Sequence, residues 1–111
     1  MSAPLVDGYL WVRCQISNGT SRRFGSYSPA PIHLSYHWFD ADGTIAVFEG
    51  LRTPLIPSID PGNSETYEIK VAAPTEPGEY RLRITLVQEA VRWFDELPDS
   101  ACVQDIFVRL P

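Results

Sequence analysis

Arg52, Gln88 and Glu89 are three polar residues set inside apolar or proline-rich stretches, and a Trp93-Phe94 pair follows in a segment closed by Asp95, Glu96 and Pro98. A polar group carried into an apolar setting needs a partner. One reading joins Arg52 to Glu89 as an ion pair that ties two segments of chain together, with Gln88 satisfying backbone groups; the other turns the same groups toward a ligand. The aromatic pair adds a second kind of chemistry. Ring faces stack on the C–H faces of sugars while charged and amide groups bind hydroxyls, so a rim combining the two suits a glycan. The plainer assignment has the rings plugging one end of a core.

Other arrangements carry less. Asp40-x-Asp42-Gly43 opens like a calcium loop, because alternating carboxylates supply oxygen ligands, yet only Glu49 follows as a nearby acid. A tight turn between two strands requires Asp and Gly for backbone reasons alone, and a hairpin turn is expected. His33 and His37 share a strand face with Cα atoms about 13 Å apart, too far for one zinc ion, and packing is their expected role. No metal or cofactor is expected. Gly-x-Ser-x-Gly, His-Glu-x-x-His and a glycine-rich phosphate loop do not occur, and neither cysteine has a histidine partner by motif. Glu89, Asp95 and Glu96 could serve as acid and base only across a groove, which needs a second lobe, so the chain reads as a non-enzyme.

The chain has 111 residues, one domain's worth and enough to bury a two-layer core. Its 9 Lys and Arg against 14 Asp and Glu give a net charge of -5, which repels phosphate backbones and anionic membrane surfaces. The one tight basic pair, Arg22-Arg23, is too small a footprint for nucleic acid. Cys14 and Cys102 are separated by most of the chain. A bridge between edge strands is open to them, but small-domain disulfide frameworks show more cysteines at closer spacing, and free thiols are expected. No basic region followed by a long apolar run opens the sequence, and no stretch approaches the ~20 apolar residues that span a bilayer, so no membrane insertion is expected.

Positioning the polar and aromatic residues falls to a series of alternating stretches. Ile32, Leu34, Tyr36 and Trp38 alternate with His33, Ser35, His37 and Phe39, the period of two of a strand with one buried face. Leu10, Val12, Cys14 and Ile16 alternate in the same way before Asn18-Gly19, a pair that tolerates positive φ in a turn. Tyr67, Ile69, Val71 and then Tyr80, Leu82, Ile84, Leu86 repeat the pattern, each after a Pro-Gly pair, and Ile106, Val108 and Leu110 close it. The prolines of Leu51–Pro57 keep that stretch extended, as on a sheet edge or crossover. Residues 21–31, with Phe24 and Tyr27 among Gly, Ser and Pro, read as a polar loop or short edge strand. Trp11 and Trp38 are expected in core or edge packing. The expectation is an all-β fold, an immunoglobulin-like antiparallel β-sandwich of about seven strands, with residues 1–8 a linker and residues 9–111 a single domain.

The order Ile16-x-Asn18-Gly19, Leu34-x-Tyr36, Pro61-Gly62, Ala73-Pro74 and Pro77-Gly78-x-Tyr80-x-Leu82 resembles bacterial immunoglobulin-like or fibronectin-like accessory domains. More narrowly, Tyr36-His37-Trp38, Asp42-Gly43, Gly50-Leu51-Arg52-Thr53-Pro54-Leu55 and Thr85-Leu86-Val87-Gln88-Glu89 with Trp93-Phe94 look like a module appended to glycosyltransferases and methyltransferases of surface-polysaccharide synthesis. The resemblance implies a noncatalytic accessory domain with a sugar-binding role, beside a catalytic domain in the same or a partner chain, and a cytoplasmic location if that domain is a transferase. In a sandwich the connection after the Tyr80 strand shares an end with the loop before Ile32. That placement brings Trp93 and Phe94 near Phe24 and Tyr27, with Arg52 arriving on the return strand. Tyr27, Arg52, Trp93 and Phe94 are the expected glycan rim; Arg52, Glu89, Gln88 and Trp38 are the expected structural set. The competing function is a protein-interaction or spacer module with no small ligand, and the exposure of Trp93 and Phe94 separates the two.

Overall fold

The computed structural model describes residues 8–26, 31–93 and 104–111. Eight strands run through them: β1 (Tyr9–Ser17), β2 (Ile32–Asp40), β3 (Ile45–Val47), β4 (Thr53–Pro54), β5 (Ser64–Ala72), β6 (Gly78–Gln88), β7 (Arg92–Trp93) and β8 (Gln104–Leu110). The fold is the all-β antiparallel sandwich that the alternation implies. The count exceeds the expected seven because β4 and β7 are two-residue strands, too short to leave a period in the sequence. No helix among the described residues is long and apolar enough to cross a membrane.

One sheet is β1 paired with β5 along its whole length, from Tyr9↔Ala72 to Ser17↔Ser64. In the other sheet β2 and β6 are central, paired from Ile32↔Gln88 to Asp40↔Tyr80. Each has its second edge divided between two short partners, β3 and β4 along β2, β8 and β7 along β6. With the first strand against the fifth and the second against the sixth, the long strands are paired across the sequence, not with their neighbours along the chain.

The inward rows meet in one apolar core. Leu10, Cys14 and Ile16 of β1 and Tyr67, Ile69 and Val71 of β5 pack against Leu34, Tyr36 and Trp38 of β2 and Leu82, Ile84 and Leu86 of β6. Two hydrogen bonds cross between the layers: Trp38 Nε1 donates to Ala72 O at 2.9 Å, and Ala72 N donates to the Tyr36 hydroxyl at 2.8 Å. Both aromatic polar atoms are thereby satisfied on burial, as a dry core requires. Cys14 is a free, buried thiol opposite Tyr67; Cys102 lies outside the described residues.

Three local expectations change and a fourth, the hairpin turn at Asp40-x-Asp42-Gly43, holds. Asn18 does not serve as half of a positive-φ turn pair. Its buried side chain donates to Arg22 O at 2.6 Å and Ile59 O at 2.9 Å, while its Oδ1 accepts from the Thr20 amide at 3.0 Å and hydroxyl at 2.6 Å, replacing the ladder where β1 ends. Phe24 is not part of a polar loop. It bridges Ile59 through two backbone hydrogen bonds of 2.9 and 2.8 Å and inserts its ring into the core at 5% exposure. Trp11 stands out from the small sheet at 66% exposure instead of packing. Asp40 uses its carboxylate on the hairpin itself, accepting from the amides of Asp42 at 2.9 Å and Thr44 at 3.0 Å around Gly43, whose φ of 81° suits glycine.

Candidate functional site

His33, Ser35, His37 and Phe39 point away from the core along β2, beside Thr85 and Val87 of β6. A sheet with one buried face would leave them wet. Ser35, His37, Thr85 and Val87 are instead buried, because segments from both edges fold over them. From the β2 edge, residues 48–52 between β3 and β4 hydrogen-bond to outward side chains: His37 Nδ1 donates to Phe48 O at 2.6 Å and Ser35 Oγ to Leu51 O at 3.0 Å. Gly50 permits this approach. A Cβ there would lie 2.6 Å from the Tyr36 carbonyl oxygen and 2.8 Å from its ring. From the β6 edge the chain turns after Gln88, with Val91 N donating to Gln88 O at 2.9 Å, and returns as β7 to set Trp93 opposite Val87.

The two segments meet over His37. Phe48 stacks on its ring at 4.5 Å between centroids, Trp93 lies tilted at 4.4 Å, and Phe48 and Trp93 meet edge to face at 5.1 Å. Arg52 closes the cluster from outside, its guanidinium carbon 4.8 Å from the Trp93 ring centroid. The expected Arg52 to Glu89 pair is present, Nε donating to Oε2 at 3.0 Å. Every guanidinium nitrogen is engaged. Nη2 donates to Glu49 Oε2 at 2.8 Å, and Nη1 donates to Gly50 O at 2.8 Å and Ser35 Oγ at 3.2 Å. Partial burial works against the charge of Arg52, but the hydrogen bonds and fields of Glu49 and Glu89 outweigh it and hold its pKa above the ordinary value. His33 Nδ1 approaches the same Glu89 oxygen at 3.0 Å without the alignment of a hydrogen bond.

The expected rim is only partly assembled as imagined. Arg52 and Trp93 do come together, but Trp93 is 8% exposed, with His37 and Phe48 against its ring and Arg52 over it, so it offers no open stacking face. Tyr27 and Phe94 lie outside the described residues. Phe24, expected nearby, belongs to the core. Gln88 ends β6 between Ile32 and Arg92, and Trp38 is fully buried. Beside the cluster lies an open depression of about 370 Å³ lined by Glu49, Arg52, Gln88, Glu89, Arg92 and Trp93. Its two glutamates are both committed to Arg52 rather than facing one another as an acid and base. Among the described residues no group of three or more His, Cys, Asp or Glu side chains is placed to hold a metal ion.

His37, Phe48, Glu49 and Arg92 were not expected here. The usable signal was Gly50, a glycine within an extended stretch, which marks close approach of another backbone. Neither family models, curated proteins nor solved structures match this chain.

Proposed function

We propose that the chain is a noncatalytic interaction domain, a protein-binding or spacer module without a small ligand. The observation that carries this reading is the covered Trp93: a sugar-stacking residue needs a free ring face, and this ring instead cements two edge segments to the sheet. The elongated shape, 41 × 26 × 22 Å, suits a module that holds other parts at a distance. The resemblance to accessory modules of polysaccharide-synthesis transferases supplies a setting, beside a catalytic domain of the same or a partner chain. Titration calorimetry tests the reading. Soluble bacterial polysaccharide fragments are expected to give no saturable heat, whereas a transferase catalytic domain of the same or a partner chain is expected to bind.

A second reading keeps the glycan and moves it. The open depression beside Arg52 presents Gln88, Glu89 and Arg92, groups that hydrogen-bond to hydroxyls, with the Trp93 edge at its wall. Saturable heat with a polysaccharide fragment that disappears in Arg92→Ala, a solvent-exposed position, would establish this reading in place of the first.

A further inference from the structure

The remaining half of the same sheet face has no covering segment among the described residues. Its outward side chains form three rows across β6 and β8: Glu79 opposite Arg109, Arg81 opposite Phe107, and Arg83 opposite Asp105. Successive rows are about 7 Å apart along the strands. The outer rows are ion pairs of opposite polarity. Arg109 Nη2 donates to Glu79 Oε1 at 2.6 Å, with the acid on β6; Arg83 Nε and Nη2 donate to the two carboxylate oxygens of Asp105 at 2.9 and 3.2 Å, with the acid on β8. The central row continues through Phe39 to Ile45 of β3. Phe107 is 71% exposed and Ile45 is 51% exposed. Arg81 sits over Phe39 at 4.5 Å, and its buried Nε donates to no acceptor, Asp105 Oδ2 being 3.8 Å away.

Four charges alternating in sign around an arginine and an exposed phenylalanine are their own complement. A two-fold axis lying in the face, parallel to the strands and between β6 and β8, sets Glu79 over Arg109 of a second copy, Arg83 over Asp105 and Arg81 over the Phe107 ring, each contact made twice. We propose that this open half is the contact face of a homodimer, with β6 and β8 of one copy packed on β6 and β8 of another. The arrangement is isologous, as a closed dimer requires, and aligned packing of two twisted sheets is an ordinary geometry. An exposed Phe and a half-buried Arg at the centre, ringed by charge, have the composition of an interface hot spot with a polar rim. Local attraction here also gives two copies of an acidic chain, net charge -5, an orientation in which to approach. The inference goes beyond the reading above and does not depend on it, since it concerns copies of this chain rather than a glycan or a catalytic domain.

A face this small falls at the low end of specific interfaces, with dissociation constants of about 10 to 100 μM. Sedimentation equilibrium of the full chain up to about 1 mM tests it. The wild type is expected to pass from monomer to dimer with rising concentration. Phe107→Ser should raise the dissociation constant about tenfold or more. Arg109→Glu sets acids face to face and should weaken the dimer similarly, while Glu79→Arg added to Arg109→Glu restores both the internal pair and the intermolecular one, returning association to the wild-type level. All three positions are exposed, and unchanged circular dichroism would confirm that the variants fold. A wild type that stays monomeric throughout overturns the proposal and leaves the face to a different protein. A dimer indifferent to Phe107→Ser, or one not restored by the double variant, overturns it as well.

Discussion

His37 and Phe39 stand two positions apart on the same face of β2, and the chain covers them by different means. Over His37, Phe48 and Trp93 fold in from the two sheet edges and Arg52 locks them down. Phe39 is buried too, at 9% exposure, but by the guanidinium groups of Arg81 and Arg83 at 4.5 and 5.0 Å and the edge of His37 at 6.4 Å, with Ile45 and Phe107 beside it left in water. The strand itself does not distinguish the two positions. What differs is what the neighbouring edge segments bring: residues 48–52 and the Trp93 ring carried on β7 cover one half of the face, whereas β3 and β8 pair beside the other half and leave Ile45 and Phe107 exposed. The covered half has become a small second core with a polar lid; the open half keeps the surface chemistry of a contact patch.

Truncation should expose this difference most sharply. Trp93→Ala removes a buried ring from the covered half and is expected to cost about 3 kcal/mol in urea titration. Phe107→Ala, measured at a concentration where the chain is monomeric, should stay within about 0.5 kcal/mol. Equal losses would erase the distinction. Next in size is Gly50→Ala. Its Cβ would press on the Tyr36 backbone, which has no room to yield, and a loss of about 2 kcal/mol is expected from strain and from loosening of the 48–52 segment. A neutral result would show that this segment is not pinned to β2. A smaller effect than either loss in the covered half belongs to the lid: a double-mutant cycle of Arg52→Ala and Glu89→Ala should give a coupling of about 1 kcal/mol. Full burial would have implied about 3 kcal/mol, but side-chain exposures of 29% and 32% and the second carboxylate of Glu49 reduce what one partner can lose. A coupling near the larger value would mean that the lid seals more tightly than its exposure indicates.

The inner face of the sandwich was legible because burial there follows the strand's own period. Ile32 to Trp38, Tyr67 to Val71 and Tyr80 to Leu86 show it directly, and their pairing follows from antiparallel topology. The Arg52 to Glu89 pair was legible for a related reason, since two opposite charges inside apolar stretches have few ways to be satisfied. The burial of His37, Ser35 and Thr85 was not legible. It depends on contacts from β7 and the 48–52 segment, which are distant in sequence and too short to carry a period. Trp93 illustrates the same gap. Following a long strand and preceding acids and a proline, it reads as a loop residue, but a turn at 89–91 returns it to the sheet as a strand partner of Val87. Phe24 was misread because one isolated bridge to Ile59, rather than a strand, carries it into the core.

The thiol of Cys14 can act as a stopwatch for unfolding. Burial pushes its pKa from 9.0 to about 11, so at mildly alkaline pH almost none of it is the reactive thiolate while the chain is folded. In a Cys102→Ser background, alkylation by iodoacetamide at pH 8 should therefore proceed only through opening of the sandwich, and its rate should track urea concentration as global unfolding does. Across the strand pair, burial and then the negative charges of Glu65 and Cys14 push Tyr67 from 10.0 to about 12. Both groups are acids that the fold keeps neutral. Their contribution to stability is complete below pH 9, where neither ionises in the unfolded chain, and is lost as pH rises through 11 for Cys14 and through 12 for Tyr67. Thermal melts should fall over that range, and Cys14→Ala should flatten the first part of the decline. Alkylation at pH 8 as fast as that of an unfolded peptide would mean that the layers part far more often than their packing implies.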